Sequence, residues 1–263
     1  MASTSRVVQV SDMHLFADTA GALAGMNCEA GLRDVLHEIQ RHERDLDAIL
    51  CTGDLSQDQS PASYQRLERA LSELQTPQYW LAGNHDDLDG MHAALGPAHP
   101  CFSRAFSLPG WRVVLLDSHV VGEVQGWLAP SELAALAAEL AHGDDKVLIA
   151  LHHNPVPVAA HWLQRHALQN PEDLFALIDA CPRVQVVLFG HIHHALECER
   201  KGVRYLGTPS TCVQFHPSSA DFALDRQNPG YRWLDLGADG RFATGVRRVE
   251  HKRYAVDFSS SGY

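Results

Sequence analysis

The sequence predicts an α/β fold in which helices cover mixed β-sheets. Short apolar runs alternate with amphipathic helical segments as far as Phe189, and strand patterns predominate after His194. The chain has 263 residues, of which 45% are hydrophobic, so it is long and apolar enough to bury one large core. We therefore expect a single domain over residues 1–250 and a flexible C-terminal tail over residues 251–263.

Six apolar runs are predicted to form buried strands, because each is short, continuous and rich in Val, Ile and Leu. A hairpin is predicted around the turn Pro109-Gly110, and a second around Ala238-Asp239-Gly240. The six runs cover residues 7–10, 48–51, 79–82, 113–116, 147–151 and 184–189. Later strands are predicted at residues 203–206, 211–215, 231–236 and 242–249.

Four amphipathic helices are predicted between these strands. Apolar residues recur at helical spacing over residues 32–39 and 64–74. Ser131 is the predicted cap of a third helix, which ends before Gly143. Asn170 is the predicted cap of the fourth, with a proline directly after it at the first helical position.

The composition argues against several classes of protein. The 21 basic and 32 acidic residues give a net charge of −11, which argues against a nucleic-acid-binding face. No run of about 18 apolar residues predicts a membrane span, and the first residues do not resemble a secretory signal. The six cysteines form no Cys-x-x-Cys pair, so we expect a cytoplasmic protein without a disulfide framework. The oligomeric state is left open, with a homodimer among the alternatives.

Polar side chains with metal-binding chemistry follow five of the predicted strands. Because ligands bind at the carboxyl ends of strands in open α/β sheets, we expect these side chains to converge. Two pairs have i, i+2 spacing, which in an extended segment places both side chains on one side. Glycines before three of the residues permit sharp turns. The residues are Asp12 and His14, Asp54, Asn84 and His85, His152 and His153, and His191 and His193.

The chain contains 17 histidines, and this set combines imidazole, carboxylate and amide donors. Such donors suit Mn, Fe, Zn or Co. The number of donors exceeds what one tetrahedral ion needs, and it suits two ions that share one carboxylate. The expected ligands are Asp12, His14, Asp54, Asn84, His152, His191 and His193.

The motifs that carry these residues resemble those of the calcineurin-like metallophosphoesterases. They read Ser-Asp-Met-His, Gly-Asp-Leu, Gly-Asn-His-Asp, His-His and Gly-His-Ile-His. Residues 9–15, 151–157 and 207–215 further resemble the class III bacterial cyclic nucleotide phosphodiesterases. The last of these stretches contains no expected ligand. Asn154 departs from the pattern, since relatives often have proline there, but it leaves the ligand positions unchanged.

The resemblance implies a four-layer αββα sandwich with two mixed sheets. It implies one ion held by Asp12, His14, Asp54 and His193, and a second held by Asp54, Asn84, His152 and His191. Asp54 would bridge the two ions, and His153 is the alternative to His152. Fe, Mn or both are the preferred metals, with Zn and Co as alternatives.

The resemblance also implies hydrolysis of 3′,5′-cyclic AMP to 5′-AMP by a metal-activated hydroxide. His85 would be the general acid, and Asn84, His85, His14 and His193 would contact the substrate. Asp86 would either orient His85 or cap a helix, and His194 is expected to face solvent. Loops 16–26, 122–128 and 155–169 are the candidates for the substrate pocket.

Two alternative functions remain. The first is another activity at the same site, such as that of a glycerophosphodiesterase, a nucleotide-sugar hydrolase, a phosphatase or a nuclease. The second is a non-catalytic scaffold, which is disfavoured because every expected ligand position and the acid position are filled.

Overall fold

A computed structural model describes residues 3–262, in which two large β-sheets pack face to face. The helices are α1 (Cys28–His42), α2 (Pro61–Ser72), α3 (Leu88–Leu95), α4 (Pro130–Leu140) and α5 (Pro171–Asp179), with short 3₁₀ helices at Pro100–Phe102 and His161–His166. The strands are β1 (Thr4–Val10), β2 (Ala22–Leu23), β3 (Met26–Asn27), β4 (Leu46–Thr52), β5 (Gln78–Leu81), β6 (Ala105–Leu108), β7 (Trp111–Leu115), β8 (Lys146–Leu151), β9 (Val184–Phe189), β10 (Leu196–Arg200), β11 (Val203–Gly207), β12 (Gln214–Phe215), β13 (Leu224–Asp225), β14 (Gly230–Gly237) and β15 (Phe242–Arg248).

Both large sheets are mixed, as the sequence predicts. The first has the order β15-β14-β1-β4-β5, and the second has the order β10-β11-β9-β8-β7-β6. Strands β1, β4 and β5 are parallel, as are β7, β8, β9 and β11, while the remaining strands of each sheet pair antiparallel. Helices α1, α2, α4 and α5 each connect two neighbouring parallel strands. Small two-stranded ladders, β2-β3 and β12-β13, lie outside the large sheets.

The apolar core has an inner part between the sheets and outer parts beneath the helices. Val7 of β1 belongs to the inner part, together with Leu148 and Val186 of the second sheet. The next residue, Val8, points to the opposite face and packs in one cluster with Leu32 of α1. This alternation confirms the layered α/β fold with helices outside two stacked sheets.

Two buried polar residues join the sheets. Gln9 of β1 donates a hydrogen bond to the Thr52 hydroxyl (2.9 Å) and another to the carbonyl oxygen of Phe189 in the second sheet (3.2 Å). Arg232 of β14 donates to the carbonyl oxygen of Gly207 (3.0 Å). Since unpaired buried polar groups are costly, these bonds favour one relative position of the two sheets. The ends of β1, β4 and β9 are thereby held together.

The six predicted strands and four predicted helices are confirmed, with differences at the caps. α4 begins at Pro130, one residue before the predicted cap Ser131, and no side chain among the described residues caps its first turn. Asn170 does occupy the N-cap position of α5, but its side chain accepts no bond from a helix amide: it bonds to the backbone of Leu128 and donates to the Asp173 carboxylate (3.0 Å). The strand predicted over residues 211–215 is mostly loop, since only Gln214–Phe215 pairs.

The tail residues 251–262 form neither helix nor strand. Lys252 and Tyr254 both donate hydrogen bonds to one carboxylate oxygen of Asp34 on α1 (2.7 and 2.6 Å). The amide of Asp257 donates to the carbonyl oxygen of Ala24 (2.7 Å). The flexibility of this tail stays a prediction, and its last residue, Tyr263, lies outside the described residues. Within residues 3–262, no helix has the length and apolar character needed to cross a membrane.

Candidate metal centre

Strands β1, β4, β5, β8 and β9 end at one edge of the molecule, and all seven predicted ligands meet there. Ligand atoms of Asp12, His14, Asp54 and His193 lie within 4.8 Å of one another, and all four residues are buried. Two of these residues follow β1, one follows β4 in the same sheet, and one follows β9 in the second sheet. A candidate cation position therefore lies at the junction of the two sheets.

A second group of donors adjoins the first and shares Asp54 with it. The Nε2 atom of His152 lies 3.4 Å from Oδ2 of Asp54 and 3.2 Å from Oδ1 of Asn84. The ring of His191 is 5.1 Å from that of His152, centroid to centroid. The same Oδ2 atom of Asp54 lies 3.7 Å from Nε2 of His14, which belongs to the first group. One carboxylate oxygen thus lies between the two donor groups.

His153 is also close to this site, but both of its ring nitrogens have protein partners. Its ring lies in one cluster with those of His152 and His191. Its Nδ1 atom is 2.8 Å from the hydroxyl oxygen of Ser118, and its Nε2 atom is 3.1 Å from the carbonyl oxygen of Val124. A nitrogen that donates to a carbonyl oxygen has no lone pair for a metal, so His153 is a poorer ligand than His152.

Five of the predicted ligands have a left-handed backbone conformation, which non-glycine residues adopt at a cost of about 1–2 kcal/mol each. Their φ values are 55° for Asp12, 49° for His14, 51° for Asp54, 65° for His191 and 48° for His193. The prediction that the i, i+2 pairs converge through an extended segment is therefore wrong. In each pair both ligands instead have positive φ, so the segment between them is not an extended strand. Backbone strain concentrated in this way is characteristic of functional sites.

The glycines before the ligands act partly through conformation and partly through size. Gly53 has a φ of 92°, so it makes the sharp turn that the sequence predicts. Gly83 and Gly190 have no such φ, and their contribution is space. A Cβ atom on Gly83 would lie 2.2 Å from Oδ1 of Asp54, and one on Gly190 would lie 2.0 Å from the Ser11 hydroxyl oxygen. The site thus requires the absence of a side chain at both positions.

Three imidazole rings are oriented by hydrogen bonds at Nδ1. His14 donates from Nδ1 to Oε1 of Gln57 (2.6 Å). His152 donates from Nδ1 to the carbonyl oxygen of Thr52 (2.7 Å), and His193 donates from Nδ1 to that of Val213 (2.9 Å). When a ring is neutral with its proton on Nδ1, its lone pair is on Nε2, the atom that faces the donor groups; His152 reaches this state only after it loses its second proton. This arrangement is typical of histidine ligands to metals.

Burial and mutual repulsion determine the charges at the site. Burial lowers the pKa of His14 to about 4 and lowers the pKa of His191 and His193 well below the usual range, so these imidazoles are neutral. Burial alone would raise the pKa of Asp54, but the neighbouring His152, His85 and His14 outweigh it and hold the pKa well below its usual range. Asp54 is therefore an ionised carboxylate, and in the metal-free protein its nearest positive charge is the protonated ring of His152, whose pKa it raises to about 9.

Two buried atoms of the site lack hydrogen-bond partners among the residues that the structure describes. They are Oδ2 of Asp12 and Nε2 of His191. An unpaired buried polar atom typically costs about 1–3 kcal/mol, and both of these atoms are electron-pair donors. Cations bound between the donors would satisfy both atoms, so the residues present fit a pair of metal ions.

Asp86, two residues after Asn84, has neither of its two expected roles. The side chain of Asp86 neither caps a helix nor orients His85, because it accepts hydrogen bonds from the backbone amides of Gly83 (2.8 Å), Leu55 (3.0 Å) and Ser56 (2.9 Å). Asp87 caps α3 instead. The His85 ring is half-buried, with its centroid 5.0 Å from that of His14, and its amide donates to Asp54 Oδ1 (2.9 Å).

His194 does not face solvent, contrary to expectation. It is only 4% exposed, and burial lowers its pKa to about 4.

Residues 207–215 contact two of the ligands and orient them. The sequence did not predict this role, because none of these residues is itself an expected ligand. The carbonyl oxygen of Val213 accepts the bond from His193, and the ring of Phe215 stacks on the same imidazole at 4.0 Å with an interplanar angle of 7°. Ser210 donates to the carbonyl oxygen of Asp12 (2.7 Å). This segment therefore orients one ligand from each sheet.

A cavity of about 300 Å³ opens beside the donor groups. Two of the three predicted pocket loops contribute to it, since Val124 comes from residues 122–128, and Trp162, Leu163 and His166 come from residues 155–169. Among the described residues, the loop 16–26 contributes no side chain to the lining. Phe215, Phe222 and the tail residues Ser261 and Gly262 also line the cavity, and the sequence patterns did not indicate them.

Comparisons with known proteins agree with this geometry. The chain is 42% identical to the 3′,5′-cyclic adenosine monophosphate phosphodiesterase CpdA of Pseudomonas aeruginosa, over 98% of this chain and 94% of that protein. It is 41% identical to CpdA of Escherichia coli K12, with the same coverage. A 3′,5′-cyclic-nucleotide phosphodiesterase of Nostoc is 40% identical, over 93% of this chain and 92% of that protein.

The chain also resembles solved structures of phosphatases and matches one protein family. A dimetal phosphatase of Danio rerio has a TM-score of 0.61 at 17% identity and covers 94% of this chain and 99% of its own. A purple acid phosphatase of yellow lupin has a TM-score of 0.67 at 17% identity, covering 97% of this chain and 53% of its own. These two likenesses show the αββα fold. Residues 5–195 match the family profile described as calcineurin-like phosphoesterase, and the chain therefore belongs to the calcineurin-like phosphoesterase family.

Proposed function

We propose that this protein hydrolyses 3′,5′-cyclic AMP to 5′-AMP at a centre of two metal ions. The observation that carries the proposal is the position of Asp54 Oδ2, 3.4 Å from Nε2 of His152 and 3.7 Å from Nε2 of His14. A single carboxylate oxygen between two donor groups would let Asp54 contribute to both of two bound cations, which would supply two-metal chemistry. The names of the relatives, which match nearly the whole chain, support the choice of substrate.

The chain would bind the ions through two overlapping sets of side chains. When bound, the two ions would supply Lewis acidity, neutralise the phosphate charge and lower the pKa of a water molecule toward neutrality. The engagement of both ring nitrogens of His153 supports His152 as the ligand. The first set is Asp12, His14, Asp54 and His193, and the second is Asp54, Asn84, His152 and His191.

The remaining chemistry belongs to His85 and Asn84, which both line the cavity. Opening a 3′,5′-cyclic phosphate to a 5′-nucleotide breaks the bond to the 3′ oxygen, which must then acquire a proton. We assign this proton transfer to His85, whose half-buried ring lies beside that of His14. The side-chain NH₂ of Asn84 would orient the phosphate for attack opposite the departing oxygen. His14 and His193, also expected at the substrate, have Nδ1 bonded to Gln57 and Val213 and Nε2 directed at the ion position, so neither ring has a nitrogen left for the phosphate.

We also propose Fe, Mn or a mixed pair as the resident metals, because imidazole with carboxylate suits these ions. A cytoplasmic location is proposed because all six cysteines are free thiols and five of them are buried.

The test is metal analysis of the purified protein together with steady-state hydrolysis, before and after chelation. Substrates are cyclic AMP, cyclic GMP, a 2′,3′-cyclic nucleotide and an artificial phosphodiester. We expect about two metal ions per chain and turnover of cyclic AMP that chelation abolishes and added Mn²⁺ restores. Negligible turnover of cyclic AMP beside rapid hydrolysis of another ester would overturn the substrate assignment and favour another phosphoesterase activity.

A further inference from the structure

The cavity next to the metal centre has two chemically different ends. One end is formed by the polar residues Asn84, His85 and His193, and the other by the side chains of Trp162, His166 and Phe222. Its volume of about 300 Å³ lies at the lower limit for small-molecule pockets, which suits a single nucleotide. The polar end is where a phosphate would react, and the aromatic end would receive what is attached to it.

The aromatic end is a wall of three rings in mutual contact, those of Trp162, Phe215 and Phe222. The rings of Trp162 and Phe222 meet at 5.1 Å with an interplanar angle of 62°, and Phe215 contacts both at 4.9 and 5.5 Å. Phe215 is already stacked on His193, so it links the wall to the metal centre. Trp162 itself is half-buried and comes from the 3₁₀ helix His161–His166. Large aromatic faces beside a phosphate site are suited to stacking with a nucleobase.

The wall also carries two polar atoms without partners. Nε1 of Trp162 and Nδ1 of His166 are both buried, and neither has a hydrogen-bond partner within the part of the chain that the structure describes. An indole Nε1 can only donate, whereas a neutral imidazole nitrogen can accept. Burial lowers the pKa of His166, which favours the neutral ring. Both residues line the cavity beside the aromatic faces, so the wall combines apolar surface with polar groups that the described residues leave unpaired.

We propose that Trp162, His166 and Phe222 form a subsite that binds the nucleobase of the substrate, with Trp162 as its main contact. This inference rests on the proposed function and adds residues that determine specificity for the base. It explains why these aromatic residues line the same cavity as His85, although they carry no catalytic chemistry.

The test compares cyclic AMP with the corresponding ribose 3′,5′-cyclic phosphate that lacks a base. Base-aromatic stacking is worth about 1–3 kcal/mol, so we expect Trp162→Ala to lower kcat/KM for cyclic AMP roughly 5- to 150-fold, mainly through KM. The preference of the wild type for cyclic AMP over the abasic ester should largely disappear. Trp162→Phe keeps an aromatic face without the indole donor and should lie between the two. The control is Trp127→Ala, since Trp127 is 49% exposed and does not line the cavity.

A second readout is independent of turnover. Binding of 5′-AMP should quench tryptophan fluorescence in the wild type and much less in Trp162→Phe, while ribose 5-phosphate should quench neither.

The possible outcomes separate this inference from the proposed function. Equal losses on cyclic AMP and the abasic ester in Trp162→Ala would overturn the subsite, as would an unchanged KM for cyclic AMP. A wild type that does not hydrolyse cyclic AMP, but hydrolyses an artificial diester, would instead overturn the proposed function. In that case, quenching by 5′-AMP that requires Trp162 would still support a nucleobase subsite, and its absence would overturn it.

Discussion

The Nε2 atoms of His14 and His193 lie 3.1 Å apart, with the lone pairs of both rings directed toward the same space. The opposite nitrogen of each ring donates to an oxygen atom, of Gln57 and of Val213 respectively. Two lone pairs at this distance repel each other, and the nearby carboxylate of Asp54 adds negative charge. The arrangement is favourable when a cation lies among these atoms, so metal binding and the stability of the fold should be coupled.

We expect chelation to lower the thermal stability of the protein as well as its activity. A ligand at 100 times its Kd stabilises the folded state by about 2.7 kcal/mol, which for a chain of this size corresponds to a fall in Tm of roughly 5–10 °C on metal removal. Differential scanning calorimetry with and without EDTA measures the shift. The control is Asp54→Asn, in which EDTA should change Tm far less. An equal EDTA effect in the wild type and this variant would contradict a stabilising metal at Asp54.

Metal uptake should release protons and strengthen as the pH rises. The Asp54 carboxylate raises the pKa of His152 to about 9 in spite of burial, so without metal this imidazole is protonated at neutral pH. A raised pKa means that its stabilising ion pair is fully present below about pH 6.5 and is lost as the pH passes about 9. Since a metal must displace that proton, the apparent affinity should rise up to about tenfold per pH unit in this window. Competition with a chelating dye at several pH values checks this, and a pH-independent affinity would refute it.

The variant His85→Ala should lose roughly 10²- to 10⁴-fold in kcat for cyclic AMP if His85 donates the proton to the leaving oxygen. A nitrophenyl leaving group needs no such proton, so the loss on a nitrophenyl phosphodiester should be much smaller. The amide of His85 keeps its bond to Asp54, and metal content and Tm should therefore change little. The exposed His142 provides the control substitution. Equal losses on both substrates would remove His85 from the role of general acid.

The convergence of the ligands was predictable because each follows a buried strand, and parallel strands present their carboxyl ends at one edge. Their backbone conformation was not predictable, since it depends on contacts between distant loops. The amide of Asp12 donates to the carbonyl oxygen of Gly53 (3.0 Å), and that of His14 donates to the carbonyl oxygen of Asp54 (2.9 Å). These bonds exist only after β1 and β4 have paired, and they hold both residues at positive φ.

The residues that orient the ligands were harder to predict, because their roles also depend on contacts formed only in the folded chain. Val213 acts through its backbone carbonyl and Phe215 through a ring face, and neither feature distinguishes them from ordinary core residues in a sequence. Asp86 and Asp87 are adjacent carboxylates with the same local preference for a helix N-terminus. Only the approach of the loop after β4, which presents the amides of Leu55 and Ser56, decides which of them caps α3.

Asp86 should therefore matter more than Asp87 for both stability and metal binding. Asp86→Ala leaves three buried amides without an acceptor and should destabilise the fold by about 3 kcal/mol or more. The lost bonds connect the loop after β4, which carries Asp54, to the loop after β5, which carries Asn84. Both ligands would then be less well positioned, so metal affinity should fall about 10- to 100-fold. Asp87→Ala removes only a helix cap and should cost about 1 kcal/mol with metal affinity unchanged. Urea unfolding and metal titration of both variants provide the comparison, and similar effects from the two would contradict the assigned role.

The close approach of Gly83 to Asp54 gives the sharpest steric prediction. A methyl group on Gly83 would lie 2.2 Å from Oδ1 and 2.3 Å from the amide nitrogen of Asp54, distances that real Cβ contacts do not reach. Asp54 must then move, and because its Oδ2 atom lies between both donor groups, Gly83→Ala should weaken both metal sites together. We expect more than about 100-fold loss of activity, since displacements near 1 Å at a reacting site cost about this much.

Gly143→Ala is the matched control for this substitution. Gly143 has a φ of 77°, and no described atom lies within 4 Å of the position of an added Cβ. The variant should thus lose about 1–2 kcal/mol of stability through backbone strain alone, with normal metal content and activity. Metal analysis separates the two cases, because Gly83→Ala should bind fewer than two ions per chain while remaining folded by circular dichroism. A folded Gly83→Ala protein with a full metal complement and normal turnover would show that Asp54 does not have to remain where the structure places it.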